Sequence, residues 1–453
     1  MDSLVTVASD FGMHPISGNG VEGEVFRPIQ YLGSKVRVID EIVKVTRKLA
    51  APGDKVADLF SGSSVVSQSF ALNNFRVTAT DTQRYAVTIA KACLGVGFDS
   101  RQASRLLKRS NHWLPMCFDI GSSWHPVSLT ERSLIDSADA EGLRNLYSNM
   151  PLIWKSSTSP HYDSVTMGAG ESAFSKVPLV TSIYAGSYFG VQQALEIDQI
   201  RHTIEELHVA KEIDDWSREA SLTALFHASS RAVHSAGKHF AQPMNASRNE
   251  ASSFNDRRLI EDRSVSIQQC FQSALARIVA QAGCMPEGHT AFVAEAENIP
   301  DDEMNGLRVA YLDPPYTAQQ YSRFYHVLET IETYTFPHLL DGNKITQGLY
   351  PRDRYKSAFS SKSRAGVSMS KLLTKLNANS VCAVISYSRS ESGSNGNDRM
   401  ISFEALYELC TSIYQSGNVK LVELGHSYRQ FNSSTLANAK RNDPELLVVC
   451  STD

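Results

Sequence analysis

Residues 54–81, DKVADLFSGSSVVSQSFALNNFRVTATD, contain two strand-like apolar runs separated by a small-residue turn and a helical pattern. DKVADLF (54–60) and RVTATD (76–81) predict strands, and SSVVSQSFALNN (63–74) between them predicts a helix. A second helical pattern, RYAVTIAKACLG (84–95), follows soon after. Strands that alternate with helices form a mainly parallel sheet that is covered on both faces. This stretch therefore predicts an α/β fold.

The same alternation returns near the C-terminal end, from about residue 289 onward. Strands are predicted at five apolar runs, 291–297, 308–312, 381–387, 419–424 and 445–451. A helical pattern at 403–417 ends in Gly417, a residue type common just after a helix. Both core segments, 26–97 and 289–453, are therefore expected to build one sheet.

The middle of the chain, residues 98–288, lacks this alternation. Helical periodicity dominates at 191–216 and 258–283, and Ser-rich connectors lie between the helical patterns. We therefore predict a mainly helical insertion at 98–288, either a recognition region or helices that only pack on the sheet. Residues 1–25 predict a poorly ordered leader, because they lack the basic start and apolar core of a secretory signal.

Composition narrows the class of protein. The longest apolar runs fall short of the 18 residues that a membrane span needs, so no membrane partner is expected. Seven scattered cysteines without a CxxC pair argue against zinc or a disulfide framework, and for a reducing cytoplasm. The net charge is −4, so any surface for nucleic acid has to be a local basic patch.

A second informative stretch is GLRVAYLDPPY (306–316), where a predicted buried strand runs into an acid, two prolines and a tyrosine. Proline ends a strand because it lacks a backbone N–H and fixes its own backbone torsion. Asp313 and Tyr316 are therefore expected on a rigid turn at the carboxyl end of a strand. Ligands of open α/β sheets bind at that edge.

The first strand also ends in residues suited to a ligand. ADLFSGSS (57–64) combines a strand, a small-residue turn and a helix N-terminus, which together present backbone N–H donors. Asp81 ends the second strand, where an acid can accept both hydroxyls of a ribose or cap the next helix. Gly62 stands without the other glycines of a GxGxxG motif, which argues against a dinucleotide as the ligand. A nucleoside-type ligand that has no pyrophosphate is still compatible with this turn.

Together these motifs resemble DNA adenine methyltransferases of the Dam-like type, which use S-adenosylmethionine. QYLGSK (30–35), DLFSGSS (58–64), TATD (78–81) and DPPY (313–316) occur in the order of that family, which places a recognition region between the cofactor and catalytic motifs. The second glycine of the family's FxGxG loop is Ser64 here. The resemblance implies a Rossmann-like class I methyltransferase sheet. It implies cofactor contacts at Tyr31, Gly33, Lys35, Asp58, Phe60, Gly62, Asp81, Ala296 and Glu297, and a catalytic site at Asp313, Pro314, Pro315 and Tyr316.

The catalytic tetrapeptide suits methylation of an exocyclic amine. The Asp313 carboxylate and the Pro314 carbonyl can accept hydrogen bonds from the amine, and the Tyr316 ring offers a stacking face. A base inside a duplex cannot react, so it has to be flipped out. We therefore predict adenine-specific methylation of double-stranded DNA, without a metal. The alternatives are methylation of the cytosine 4-amino group and a DNA-binding relative without catalysis.

Contacts to DNA are predicted in two places. Tyr321 follows the catalytic motif, and a Ser-rich loop carries Arg352, Arg354 and Lys356, which can bind phosphates or be only solvated. In the insertion, YAGSYFGVQQ (184–193) and HSAGKHFAQP (234–243) bring Gln192, Gln193 and Lys238 to small-residue turns suited to reading bases. Tyr387 and Tyr428 follow strands and are further candidates for the target pocket. A restriction system, phage defence and an orphan role all remain open.

Overall fold

A seven-stranded sheet forms the centre of the protein. The computed structural model describes residues 25–110, 124–159, 161–167, 177–244, 253–346, 348–389, 398–427 and 444–452. The sheet strands are β1 (Lys55–Asp58), β2 (Arg76–Asp81), β3 (Thr290–Val293), β4 (Leu307–Leu312), β7 (Cys382–Ser388), β8 (Val419–Ser427) and β9 (Pro444–Cys450). A separate antiparallel pair consists of β5 (Leu340–Asp341) and β6 (Lys344–Ile345). The predicted leader lies almost wholly outside the described residues.

The strand order is β3-β2-β1-β4-β7-β9-β8. Neighbouring strands from β3 to β7 are parallel, whereas β9 runs antiparallel to both β7 and β8. The chain order reverses between β1 and β4, and such a switch point opens a crevice at the carboxyl ends of the strands. The predicted α/β Rossmann-like sheet is confirmed, and each predicted strand falls on one of these seven.

Helices occupy most of the remaining described chain. They are α1 (Ile39–Thr46), α2 (Val65–Leu72), α3 (Arg84–Leu94), α4 (Ser100–Ser110), α5 (His125–Asp136), α6 (Ala140–Ser148), α7 (Tyr162–Met167), α8 (Leu179–Tyr184), α9 (Val191–Val209), α10 (Asp215–Ala232), α11 (Ser253–Arg263), α12 (Ile267–Ala282), α13 (Tyr321–Phe324), α14 (His326–Thr333), α15 (Ala365–Ala378) and α16 (Phe403–Tyr414). Across the described ranges, none of these helices combines the length and apolarity that crossing a bilayer requires.

The two faces of the sheet have separate hydrophobic cores. On one face, α1 and α2 pack against the central strands, and the core there includes Phe70 of α2, Val56 of β1 and Val384 of β7. On the other face, α15 and α16 cover the sheet, and the core there includes Leu372 of α15, Ala310 of β4 and Ile385 of β7. Burial on both faces explains why β7 is an almost uninterrupted apolar run.

A third core joins the helical insertion to the rest of the protein. This cluster includes insertion residues such as Trp216 and Phe226, but also Ile89 of α3 and Leu328 of α14. The Trp216 indole N–H donates to the Ala92 carbonyl across 3.2 Å, which pins α10 onto α3. The insertion therefore shares one continuous core with helices of the sheet region.

Candidate active site

A cleft enclosing about 710 Å³ of open space lies at the carboxyl edge of the sheet. Predicted site residues that line it are Tyr31, Phe60, Asp81, Ala296, Glu297, Asp313, Pro315 and Tyr321. The sequence did not point to Glu295, Gln320 and Ser357, which also line the cleft, and it placed Tyr355 in a loop for phosphates rather than at this cleft. Topology brings these residues together, because β1, β2, β3 and β4 all end at this edge.

The turn after β1 is fixed by the acid at the end of β2. The Gly62 N–H donates to Asp81 Oδ2 across 3.0 Å, and the Gln83 N–H donates to Asp81 Oδ1 across 2.9 Å. Burial raises the pKa of Asp81, and hydrogen bonds from these backbone groups oppose that rise. The residue that caps α3 is Gln83, so Asp81 is left facing the cleft rather than capping the helix.

Tyr31 forms one wall of the cleft beside this turn. Its ring stacks on Tyr325 at a centroid distance of 4.9 Å and on Tyr321 at 5.5 Å. The left-handed backbone of Gly33 (φ 74°) turns the chain after Tyr31, and the Leu32 N–H donates to the Tyr325 hydroxyl. The predicted motif at residues 30–35 therefore meets the segment that follows the predicted catalytic tetrapeptide, residues 313–316.

Gly62 has to be glycine for two reasons. Its φ of 49° is left-handed, and a Cβ built there would lie 2.6 Å from the Tyr31 ring. We expect Gly62→Ala to destabilise the fold by about 1–2 kcal/mol and to weaken nucleoside binding about tenfold. Thermal unfolding and equilibrium dialysis with S-adenosylmethionine would measure these effects.

A matched control exists at Gly366 on α15, where a Cβ would enter open space. Gly366→Ala should leave S-adenosylmethionine binding unchanged and raise the stability slightly, by up to about 1 kcal/mol, because alanine favours a helix over glycine. Adding Tyr31→Ala to Gly62→Ala should recover part of the lost stability, since it removes the colliding ring. A Gly62→Ala variant with wild-type affinity and stability would contradict this account of the turn.

Asp313 lies at the centre of the edge, directly after β4. Its Oδ1 accepts a hydrogen bond from the Tyr316 hydroxyl at 2.6 Å, and its Oδ2 pairs with Lys35 Nζ at 3.1 Å. Burial raises the pKa of Asp313, the charge of Lys35 lowers it and the charge of Glu445 raises it. Lys35 is only 5% exposed, and its second carboxylate partner is Glu445 at 2.7 Å. Asp313 is thus a partly buried acceptor, and its charge is balanced by a lysine that it shares with Glu445.

Strand pairing explains how distant residues reach this point. Leu312 pairs with Ile385, which puts Asp313 level with Ser386 on the neighbouring strand. Because β9 is antiparallel to β7, its first residues lie at the same edge, and Ser388 pairs with Glu445. Glu445 therefore arrives at the site from the far end of the chain, which no local sequence motif indicated.

The Tyr316 ring is held on several sides. Its hydroxyl also contacts Ser386 Oγ at 3.0 Å, and its ring meets Tyr387 edge-on at 5.0 Å. Arg399 Cζ lies 5.2 Å and Lys35 Nζ 5.3 Å from the ring centroid. Pro314 is buried under the turn, whereas Pro315 faces the cleft. The other candidate tyrosine, Tyr428, lies outside the described residues.

The far wall of the cleft comes from β3 and the basic loop. Ala296 and Glu297 lie on a buried 3₁₀ turn just after β3. The Tyr355 hydroxyl donates to Glu295 Oε1 at 3.0 Å, and burial raises the pKa of Tyr355. The sequence marks Tyr355 as an aromatic residue inside a basic loop, whereas Glu295 carries no local signal.

Asp58, at the end of β1, is a buried acid behind the cleft. Its Oδ2 accepts from Ser67 Oγ at 2.6 Å, while its Oδ1 has no hydrogen-bond partner within the described structure. Burial raises the pKa of Asp58 to about 7, against the lowering effect of the Ser67 hydrogen bond. Ionised Asp58 is therefore held at a cost in stability.

The pH dependence of stability should report this cost. A folded-state pKa of about 7 lies above the unfolded value of about 3.9, so the folded state binds the proton more tightly between those values. Stability should therefore fall as pH rises from about 4 to about 7, by roughly 2–4 kcal/mol from this group. Asp58→Asn should remove that part of the decline in urea unfolding at pH 5 and pH 8.

Glu408→Gln, an exposed change on α16, provides the matched control and should keep the wild-type pH dependence. Asp58→Asn curves that parallel the wild type across this range would show that Asp58 does not titrate there.

The predicted DNA contacts have different surroundings. Arg352 and Lys356 are exposed on the loop, and Arg352 lies 3.8 Å from Asp341. Arg354 is partly buried against the Tyr350 ring, at 4.7 Å from its centroid. Tyr321 lines the cleft. These contacts to DNA stay predictions.

Residues predicted to read bases in the insertion are largely occupied by protein contacts. The Gln193 amide is buried and donates to three backbone carbonyls, those of Asp262, Arg263 and Val265. Lys238 pairs with Asp262 at 2.6 Å. Gln192 is exposed, with its amide donating to Glu196. The Gln193 side chain is therefore not available at the surface, whereas the DNA contacts of Gln192 and Lys238 remain predictions.

Comparison with known proteins gives three informative similarities. The sequence profile of the family described as D12 class N6 adenine-specific DNA methyltransferase matches residues 31–112 and 272–382. Modification methylase LlaI of Lactococcus lactis subsp. lactis is 22% identical over 427 residues, covering 93% of this chain and 54% of that protein. Type II methyltransferase M.NlaIII of Neisseria lactamica is 23% identical over 313 residues, covering 68% and 70% respectively.

A shorter similarity involves Type II methyltransferase M.FokI of Planomicrobium okeanokoites, which is 35% identical over 80 residues, or 18% of this chain and 11% of that protein. The chain spans about half the length of the Lactococcus protein. The two segments matched by the family profile contain every cofactor and catalytic residue that the sequence predicted. Most of the helical insertion lies between them.

Proposed function

We propose that this chain, whose residues 31–112 and 272–382 match the profile of the D12 class N6 adenine-specific DNA methyltransferase family, methylates adenine at specific sites in double-stranded DNA. The methyl donor is S-adenosylmethionine, and the acceptor is the exocyclic 6-amino group of a flipped-out base. The arrangement that carries this proposal is Asp313, a partly buried carboxylate on a Pro-Pro turn, which lines the same cleft as Asp81.

The lining of the cleft supports this cofactor class. Asp81, Glu295, Glu297 and Asp313 line it, and none of its lining residues in the described structure is Lys, Arg or His. Such a lining favours a cationic ligand and disfavours a pyrophosphate. When bound, S-adenosylmethionine supplies an electrophilic methyl group on a positively charged sulfur. Asp81 and the Gly62 turn would hold its ribose, and the turn at Ala296 and Glu297 would hold its adenine.

The residues of the tetrapeptide act on the target base. The nitrogen lone pair of the adenine 6-amino group is delocalised into the ring, so the amine is a weak nucleophile. Hydrogen bonds from that amine to Asp313 and to the Pro314 carbonyl favour a pyramidal nitrogen with a free lone pair. Lys35 holds the Asp313 carboxylate ionised and in place, and Tyr316 offers its ring for stacking.

The remaining predictions extend this proposal. Residues 98–288 would form the target-recognition insertion, with Gln192 and Lys238 at the DNA, and Arg352, Arg354 and Lys356 would contact phosphates. A cytoplasmic location is expected for this activity. The relatives named modification methylase and Type II methyltransferase favour a modification role beside a restriction enzyme, rather than an orphan role.

The direct test is incubation of the purified protein with methyl-labelled S-adenosylmethionine and unmethylated genomic DNA, followed by nucleoside analysis. Label in 6-methyladenine is the expected result, and it should be absent with the Asp313→Ala variant. Label in 4-methylcytosine would overturn the adenine assignment while keeping the mechanism. No label on DNA, with the cofactor bound, would overturn the proposed substrate.

A further inference from the structure

Two arginines share one tyrosine ring beside the cleft. Arg323 Cζ lies 4.9 Å and Arg354 Cζ lies 4.7 Å from the centroid of the Tyr350 ring. Arg323 belongs to α13, and Arg354 to the loop after β6. The backbone carbonyl of Tyr350 accepts a hydrogen bond from the Thr346 hydroxyl at 2.8 Å, which holds the main chain at this residue. Tyr350 thus holds two like charges close together.

These two charges are not neutralised in the described structure. Neither guanidinium forms an ion pair with a carboxylate there, whereas Arg352 and Lys362 nearby have Asp341 and Asp398 as partners. Burial and the charge of Arg323 both lower the pKa of Arg354. The Nε group of Arg354 is buried without any acceptor within the described residues. A buried donor without a partner is costly, so this geometry suits an incoming anion.

The pair lies at the rim of the cleft. Ser322, the residue before Arg323, and Tyr355, the residue after Arg354, both line it. The Ser322 hydroxyl donates to the Tyr355 carbonyl at 2.5 Å, which ties the two segments together. Arg323 is exposed to solvent. The lining of the cleft is acidic, whereas its rim carries the two positive charges of Arg323 and Arg354. The rim therefore suits an anion, and the interior suits the cationic cofactor.

We propose that Arg323 and Arg354, held on Tyr350, bind phosphodiester groups of the DNA strand that carries the target adenine. Guanidinium groups bind phosphate oxygens through paired N–H donors. The position next to the cleft mouth fits the strand segment from which the base leaves the stack. Tyr350 acts as a positioning residue, because it holds both guanidiniums. The inference rests on the proposed DNA substrate and deepens it.

The test uses the full chain and a fluorescent duplex made from unmethylated genomic DNA. Arg323→Gln with Arg354→Gln should weaken binding about tenfold and reduce the slope of log affinity against log salt by about 1–2. Equilibrium dialysis of S-adenosylmethionine should give an unchanged dissociation constant. Lys44→Gln with Lys48→Gln removes two exposed charges at the distant α1 end and should leave the salt slope unchanged.

Two further variants guard against misfolding. Arg323→Lys with Arg354→Lys keeps both charges and should retain most of the salt slope, while Tyr350→Leu should lower DNA affinity without changing cofactor binding. A wild-type salt slope in the double Gln variant would overturn the proposed phosphate site, but it would not contradict the proposed methylation of DNA. A wild-type protein that binds no duplex would overturn the proposed function itself.

Discussion

Asp313→Ala should reduce DNA methylation by about 10³-fold while the protein still folds and binds S-adenosylmethionine. The carboxylate is the only charged acceptor on the turn at residues 313–316, and in the proposed mechanism its loss leaves the target amine with the Pro314 carbonyl. Lys35 would keep Glu445 as its partner at 2.7 Å, so no buried cation is left unpaired. Single-turnover methylation with saturating cofactor would measure the effect on the chemical step.

The matched control is Asp313→Asn, which keeps the shape and one acceptor oxygen but removes the charge beside Lys35. We expect its activity to lie between the wild type and Asp313→Ala, with a thermal unfolding temperature near that of the wild type. More than a tenth of wild-type turnover in Asp313→Ala would reject Asp313 as the principal acceptor, provided that the cofactor dissociation constant is unchanged.

Lys35→Met should lower the free energy of unfolding by about 3 kcal/mol at neutral pH. The substitution leaves the carboxylates of Asp313 and Glu445 close together in a poorly solvated place, with side chains only 21% and 11% exposed. Burial already raises the pKa of Asp313, and the charge of Lys35 opposes that rise together with the hydrogen bond from Tyr316. Without Lys35, Asp313 should therefore stay protonated to higher pH.

This second prediction has a pH signature that a merely structural lysine would not produce. Methylation by Lys35→Met should recover partly as pH rises, because only ionised Asp313 accepts well. Adding Glu445→Gln removes the second carboxylate and should restore about half of the lost stability in urea unfolding. Strictly additive losses in the double variant would show that Lys35 and Glu445 do not act as a pair.

Local sequence patterns predict the strands of the sheet and the site residues that directly follow those strands. The strand–turn–helix at 54–81 and the proline turn at 313–316 each contain their own start and stop signals, so their positions follow from short-range chemistry. Glu445 could not be found in this way, because its place depends on β9 running antiparallel to β7. Pairing direction is decided by tertiary packing rather than by the seven residues of the strand.

The helical insertion shows a second limit. Helix α10 was predicted only at its first residues, since it is buried on nearly every side and carries no polar stripe to give a helical period. The position of Gln193 near a glycine turn predicts a base reader. In the structure its amide oxygen accepts from the Gly190 N–H at the start of α9, and its amide nitrogen donates to carbonyls at the end of α11. A polar residue at a turn can either contact DNA or form hydrogen bonds within the protein, and the local sequence does not distinguish the two roles.

The shared core of the insertion limits how recognition can be exchanged between relatives. The Trp216 indole donates a hydrogen bond to α3, and the Arg201 guanidinium donates to the Ile331 carbonyl on α14 at 2.7 Å. The insertion therefore packs directly on these two helices of the sheet region. A chimera that carries a relative's insertion in place of residues 98–288 would pack foreign side chains against the unchanged surfaces of α3 and α14. To alter DNA specificity by grafting, one would transplant the facing sides of α3 and α14 as well, or confine the exchange to exposed loops.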